Sequence, residues 1–390
     1  MDMRMPDPVV KNKTILFVSG NAWSIYNFRL DVIRWLIAHN NKVLVLAPFD
    51  DYVAPLEREG CTCININFNN KGENPVSDMI FYLRLKALYR KLRPDFIFHY
   101  VAKPNIYGSM AAAARHIPSV AVVTGLGYPF ARRDLLFYII RFLYRRALRR
   151  VREVWFLNNE DANLFVGEKI VDVSRTRILP GEGVNTEHFV PTTRPSTHEP
   201  FHFLMSTRLL KSKGIRIYAD AARLLRKKQY NDVRFSLIGF FEKNHPDSIS
   251  EDELAGWEKE KLIYWSGFAD DVRPYMSSAH CLVFPSYYNE GVPRCLMEAA
   301  SMELPAITSM QRGCREVVLD GVNGYLTRLN DPFDLADKME KMMRLPAMER
   351  INMGRRGREL VLEKFDVRKI VQVYANTLIS PFENAHGSNS

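Results

Sequence analysis

The sequence predicts an α/β protein built from two doubly wound parallel sheets. Three observations predict it. Short, continuously apolar runs alternate with segments of helical period, as parallel strands buried on both faces require. That rhythm breaks once, at the Pro- and Thr-rich stretch "HFVPTTRPSTHEPFHF" (188–203), and then restarts. The chain length of 390 residues suits two to three ordinary domains, and 47% apolar residues are enough to fill their cores.

In the first half, "TILFVSG" (14–20), "KVLVLAP" (42–48), "DFIFHYV" (95–101), "SVAVVTG" (119–125) and "EVWFLNN" (153–159) read as strands. Residues 28–40, 78–92 and 105–116 have helical period between them. In the second half, "FHFLMSTRL" (201–209), "VRFSLIG" (233–239), "LIYWSGF" (262–268), "CLVFPS" (281–286) and "LPAITS" (304–309) are strands, with helices over 214–228, 331–345, 347–365 and 367–380. The expected division is a first domain over 1–190, a linker over 191–203, a second domain over 204–365, a helix over 366–380, and a disordered tail over 381–390. Ligands of such sheets sit outside the carboxyl ends of the strands, so two facing halves predict a cleft.

Composition excludes several classes. No apolar run approaches the length of a membrane span, and Ile15–Val18 is too short for a secretion signal, so a cytoplasmic protein is expected. Five cysteines, with only "CTC" at 61–63 closely spaced, read as reduced thiols rather than a zinc site; no metal is expected. The net charge of +10 points to an acidic partner.

"SYYNEGVPRCLMEAASMELPAITS" (286–309) carries two glutamates, Glu290 in the exit loop of a strand and Glu298 inside the following helix. A helix starting at Pro293 presents free N–H groups and a partial positive charge, which suit an anion. A ligand with a diphosphate between two hydroxylated sugars fits a helix start flanked by carboxylates, and nucleotide sugars have that layout. A surface loop residue with a helical salt bridge, or a glycosidase acid–base pair, fits the same spacing. The cations are in "STRLLKSKGI" (206–215), where Arg208 ends a strand and Lys213 precedes the glycine that opens a helix. Taken alone, that turn also reads as a solvated basic loop.

"NEGVPRCLMEAAS" resembles the E-x7-E signature of retaining glycosyltransferase family 4, and "TRLLKSKGI" resembles that family's G-R-L-x-x-x-K-G. "RPDFIFHYVAKPNIYGSMAAA", "VTGLGYPF", "LPGEGVNTEHF" and "CREVVLDGVNGYL" extend the likeness from about residue 14 to 380. The first and third of these are most similar to the branch acting on polyprenyl-diphosphate-linked sugars in capsule, O-antigen or glycoprotein glycan assembly.

The resemblance implies a GT-B fold of two Rossmann-like domains, with the acceptor on the N-terminal side and the donor on the C-terminal side. The helix over 366–380 then returns to the first domain. Arg208 and Lys213 hold the donor diphosphate, Glu298 bonds the ribose, and Glu290 with the backbone of Gly291, Val292 and Pro293 orients the transferred sugar. Gly20 and Gly239 let the backbone approach the donor; Thr124, Gly125 and Gly127 form the acceptor-side loop. No cofactor is implied.

The chain departs from the family at three places. A histidine common at the end of the "AVVTG" strand is replaced by Thr124, which leaves Lys103, His99 or glycine backbone to substitute; His99 reads more readily as a structural strand histidine. "SGNAWS" offers Gly20 without a paired glycine, and Phe240 and Phe241 follow "SLIG" where a second glycine is usual. "VTGLGYPF" also mimics a dinucleotide fingerprint, but Phe130 stands at the third glycine.

"RRDLLFYIIRFLYRRALRRVREVWF" (132–156) concentrates arginines among aromatic and aliphatic residues. Arg141, Arg145, Arg146, Arg149 and Arg150 are expected to meet an anionic membrane surface, a solvated face being the alternative. Nucleic acid is not expected, since no recognition motif accompanies the cluster. The expected function is a retaining glycosyltransferase on the inner face of the cell membrane. It moves a hexose or N-acetylhexosamine from a UDP-linked donor to a lipid-linked saccharide. A GT-B epimerase and a non-catalytic sugar-nucleotide-binding subunit are the alternatives.

Overall fold

In the computed structural model, residues 10–68, 74–126, 130, 133–192, 199–242, 245–288 and 291–383 are described. Contacts divide the chain into two compact units, Met1–Glu182 with Val367–Ser390, and Gly183–Asp366.

Among the described residues, the first unit holds a seven-stranded parallel sheet. Its strands are β1 (Thr14–Val18), β2 (Lys42–Ala47), β3 (Thr62–Asn65), β4 (Phe96–Tyr100), β5 (Ser119–Val123), β6 (Glu153–Phe156) and β7 (Thr176–Ile178). Their order is β3-β2-β1-β4-β5-β6-β7. The chain reverses direction across the sheet between β1 and β4, which is the switch point of a doubly wound fold. Alternate residues serve two cores. Ile15, Phe17, Phe98 and Val122 pack under the helices Ala22–Ala38 and Val367–Glu383. On the other face Leu16, Val18 and Ile97 pack against Phe81, Leu85 and Tyr89 of the helix Pro75–Leu92. Burial on both sides is why these strands show no polar alternation.

The second unit contains β8 (Phe201–Ser206), β9 (Val233–Ile238), β10 (Tyr264–Trp265), β11 (Cys281–Phe284), β12 (Ala306–Ser309) and β13 (Gly324–Thr327). The described strands form one parallel sheet ordered β10-β9-β8-β11-β12-β13, with its switch point between β8 and β11. The α/β expectation of two doubly wound sheets therefore holds in both units.

Some elements differ from the sequence reading. β3, β7 and β13 were not anticipated, and "LIYWSGF" keeps only two residues in strand. The first helix begins at Ala22 because Asn21 caps it, its Oδ1 accepting from Ser24 N at 2.9 Å. The segment 105–116 is a π-turn, Pro104–Gly108, followed by the short helix Ser109–Ala113. β8 begins at Phe201, inside the span 191–203 read as a linker, of which 193–198 lie outside the described residues. The last helix runs to Glu383, into the span read as a tail; 384–390 lie outside the described residues.

The C-terminal helix supplies a core residue to the first unit. Tyr374 is fully buried, its ring 4.7 Å from Phe98 and 4.8 Å from Trp155, and its hydroxyl lies 2.8 Å from that of Tyr100. Tyr374→Ala should lower the stability of this unit by about 3–5 kcal/mol. Tyr374→Phe should cost about 0.5–1.5 kcal/mol for the lost hydroxyl–hydroxyl bond, since Arg29 also bonds the Tyr100 hydroxyl. Urea denaturation of the two variants measures both.

His99 on β4 is also fully buried, with Nε2 3.0 Å from the Tyr89 hydroxyl and Nδ1 3.4 Å from Ser109 Oγ. Gly108 makes room for its ring, since a β-carbon there would lie 2.4 Å from His99 Cδ2. Burial lowers the imidazole from its ordinary 6.5 to about 3, so the native ring stays neutral. Between pH 6.5 and about 3 the unfolded chain binds a proton that native His99 refuses. Stability is thus lost as pH falls through that window, by up to about 1.4 kcal/mol per pH unit. His202 in the second unit is shifted in the same direction by its own burial. Urea titrations at pH 7 and 5 should show a smaller pH dependence for His99→Gln; an unchanged dependence would refute this account.

Candidate functional site

In the second unit the predicted donor residues converge on the switch point between β8 and β11. The exit loop of β8 carries Arg208 and Lys213; that of β11 carries Tyr287, Tyr288, Gly291, Val292 and Pro293 and leads into the helix Arg294–Ser301, which holds Glu298. Glu290 lies outside the described residues. The two loops are tied together. Tyr287 N donates to Ser212 O at 2.9 Å and Ser286 Oγ to the same oxygen at 3.2 Å. A β-carbon on Gly214 would lie 2.2 Å from Pro285 O, and this glycine has φ +83°. No other residue meets both demands.

Gly214 opens the helix Ile215–Lys227. Pro293 occupies the N-cap of Arg294–Ser301 with ψ 124°, so the helix starts one residue later than the sequence suggests. Neither helix has a side-chain cap or an acidic residue in its first turn. Six helices elsewhere are closed by Asn21, Asn74, Asp134, Asn158, Ser250 and Asp331, while Val53–Arg58, Arg273–Ser277, Arg312–Val317 and Ala347–Lys364 also start without a side-chain cap. What sets these two apart is that they follow the neighbouring central strands β8 and β11, and the free N–H groups of such starts suit an anion.

Lys213 is 7% exposed, and its ammonium lies 5.1 Å from the ring centre of Tyr288 and 5.9 Å from that of Phe284. Arg208 is half-buried and pairs with Glu242 at 2.6 Å. Glu298 accepts from Arg294 Nε at 2.7 Å. Its burial raises the carboxyl above the ordinary 4.5, and the Arg294 charge and hydrogen bond only partly oppose that. Gly239 follows β9, where a β-carbon would lie 1.7 Å from Thr207 O; its N–H donates to Gly267 O and its carbonyl accepts from Trp265 Nε1. It shapes the loop beneath Arg208.

In the first unit, Gly20, Lys103, and Thr124 with Gly125 follow the adjacent strands β1, β4 and β5, again around the switch point; Gly127 lies outside the described residues. Lys103 is nearly buried and pairs with Asp78, whose other oxygen accepts from the Tyr107 hydroxyl at 2.9 Å. Burial, reinforced by Asp78, raises the Tyr107 phenol, so it stays protonated and donates. Val101, between β4 and Lys103, has φ +63°, a strained conformation for a β-branched residue. Sequence reasoning missed Asp78, Tyr107 and Glu242, since pairing over 25 to 34 positions carries no periodic signal.

The helix Leu135–Ala147 continues as a 3-10 turn, Leu148–Arg150. Arg141 pairs with Glu168 at 3.0 Å, while Arg145, Arg146, Arg149 and Arg150 are exposed. Among the described residues no helix is long and apolar enough to cross a membrane, and no cluster of metal-ligating side chains occurs.

Two family models match the chain, "Glycosyl transferase 4-like" over residues 14–158 and "Glycosyl transferases group 1" over 200–344. A Campylobacter jejuni relative, N,N'-diacetylbacillosaminyl-diphospho-undecaprenol alpha-1,3-N-acetylgalactosaminyltransferase, is 25% identical over 92% of this chain and 96% of its own. The Escherichia coli UDP-Gal:alpha-D-GlcNAc-diphosphoundecaprenol alpha-1,3-galactosyltransferase is 26% identical over 66% of this chain and 68% of its own. Among solved structures, a Rickettsia africae glycosyltransferase superposes with TM-score 0.79 at 17% identity, covering 98% of this chain and all of that one. Anabaena HepE in complex with UDP-glucose gives 0.77 at 18% identity, covering 95% of this chain and 100% of that one. The matched models take in most of both units and the solved relatives share the fold: the chain belongs to the group 1 and 4-like glycosyltransferases, family 4, with the GT-B fold.

Proposed function

We propose that this glycosyltransferase moves a hexose or N-acetylhexosamine from a UDP-linked donor to a lipid-linked saccharide, with retention of anomeric configuration, in bacterial surface polysaccharide or glycan synthesis. The second unit takes the donor and the first the acceptor, and the enzyme works peripherally on the cytoplasmic face of the membrane. One observation carries the donor assignment. Two uncapped, acid-free helix starts flank the switch point of the second sheet, beside a buried lysine and an arginine. The two relatives' names support the acceptor class, since both specify a sugar on a diphospho-undecaprenol carrier. Their alpha linkages support retention, because UDP-hexoses of this kind carry the sugar α-linked.

The donor diphosphate lies across the helix starts, held by Lys213 and by Arg208 once it exchanges Glu242 for phosphate. That single pair is only half-buried and keeps access to solvent, so a doubly charged ligand displaces it. Glu298 accepts from the ribose hydroxyls, while Glu290 and the backbone of Gly291, Val292 and Pro293 orient the sugar. As the bond between C1 and the β-phosphate oxygen breaks, that oxygen gains charge, and the cations and N–H groups stabilise it. The acceptor hydroxyl forms the new bond to C1 on the face the leaving group vacates, and its proton passes to the departing phosphate. Lys103, fixed by Asp78 and Tyr107, with Thr124, Gly125 and Gly127, binds the acceptor side.

Arg208→Ala and Lys213→Met should each lower kcat/KM by about 10²–10³. Glu290→Gln should abolish transfer while preserving the fold. UDP release in the presence of lipid-linked acceptor measures this. Thermal stabilisation by UDP should fall in the two cation variants. A Glu290→Gln enzyme of full activity, or UDP stabilisation undiminished in Lys213→Met, would refute these roles.

A further inference from the structure

We propose that Asp247 is a positioning residue for donor binding: it caps, from 35 positions away, the turn that carries Lys213. The proposal rests on the reading that Lys213 grips the donor diphosphate, and it names what holds that lysine in place.

Lys213 ends a 3-10 turn, Lys211–Lys213, in the exit loop of β8. The residue before the turn is Leu210, which supplies no side-chain cap. The cap comes from the segment after β9. Asp247 Oδ2 accepts from Ser212 N at 3.0 Å and from the Ser212 hydroxyl, and the Asp247 carbonyl accepts from Lys211 N at 2.7 Å. The first two N–H groups of the turn are thus satisfied by a residue outside it, the role that an N-cap side chain has in an ordinary helix. The same segment is anchored below. Ile249 is 2% exposed in the core and its N–H donates to Leu209 O at 3.1 Å, while Ser248 pairs with Leu210 as an antiparallel bridge. Residues 247–249 therefore run along 209–212 and hold the backbone that leads to Lys213.

Ser212 is where this tether reaches the third loop. Its carbonyl accepts from Tyr287 N and Ser286 Oγ, so its N–H, hydroxyl and carbonyl are all engaged. The segments after β8, β9 and β11 meet on that one residue. Lys213 follows it directly, and Gly214 on the other side is held against Pro285. An aspartate beside a basic turn is ordinarily explained as a charge partner. Here the carboxylate bonds a backbone N–H and a hydroxyl of Ser212, neither of them a cation. Its contribution is an acceptor oxygen in a fixed place. Without that oxygen a ligand must order the turn itself, which lowers affinity although no contact to the ligand is removed.

The test measures UDP binding to the full-length protein by calorimetric titration. Asp247→Ala should bind UDP about tenfold more weakly, the size expected for losing a charged acceptor of two hydrogen bonds, with the KM for lipid-linked acceptor unchanged. Asp247→Asn keeps an acceptor oxygen and discards the charge, so it should stay within about threefold of wild type. In a Lys213→Met background the Asp247→Ala change should cost no more than about twofold, because residues that act through one contact are not additive. Ser212→Ala removes the hydroxyl alone and should weaken UDP binding about threefold, which keeps the comparison available if Asp247→Ala does not fold. Wild-type affinity in both Asp247→Ala and Ser212→Ala, equal losses in the wild-type and Lys213→Met backgrounds, or an Asp247→Asn protein as weak as Asp247→Ala each overturns the positioning role while leaving the donor reading intact. UDP binding that Lys213→Met leaves unchanged overturns the donor reading, and this proposal with it.

Discussion

The candidate site of the second unit depends on the absence of one carbon atom. Gly214 passes so close to Pro285 that the exit loops of the two central strands of the second sheet share hydrogen bonds. That approach places Lys213 among Phe284 and Tyr288 and fixes where the helix Ile215–Lys227 begins. A lysine side chain has about 2 kcal/mol of rotamer entropy to lose on binding, and one already buried has lost most of it. The site is thus organised before a ligand arrives, which is the condition for stabilising charge that appears only as the bond breaks.

This organisation opposes local stability. An N-cap contributes about 0.5–2 kcal/mol, and the two helices at the switch point forgo it, whereas the helix Ala22–Ala38 and several others do not. Arg208 shows the same tension more mildly. Its partner Glu242 is half-buried rather than enclosed, so the phosphate proposed above has access to displace it. A buried partner for Arg208 would hold it more firmly and make it useless.

How much of this was legible follows from where each signal is stored. β1, β2, β4, β5, β8, β9, β11 and β12 are buried on both faces and announce themselves as apolar runs. β3 reads "TCIN", β7 "TRI" and β13 "GYLT"; they lie at or next to sheet edges and are short and partly polar, so no local pattern marks them. The placement of Arg208 and Lys213 in a strand's exit loop, and of Glu298 in the helix that follows another strand, was legible because a strand, a turn and a helix start are contiguous in sequence. Their partners were not. Which carboxylate holds Arg208 or Lys103, and which arginines of 133–150 are taken up by Glu168, is decided by strands and helices that meet only after folding. The strain at Val101 was hidden for a different reason: a valine ending an apolar run looks like one more strand residue.

The net charge of +10 suggested an acidic partner without saying where it binds, and the structure separates two kinds of basic site. In the second unit one buried lysine and one arginine act with two helix starts, inside a frame of fixed backbone. Such a frame selects a ligand by shape and acts on the charge of a single group. The arginines near Ala147 are exposed, and each contributes little by itself. They follow one another at the end of a single helix and its 3-10 extension, so their charges add on that side of the unit. The first arrangement suits a ligand recognised by its shape, and the second, in which affinity is a sum of weak contacts made and broken one at a time, suits an extended charged surface.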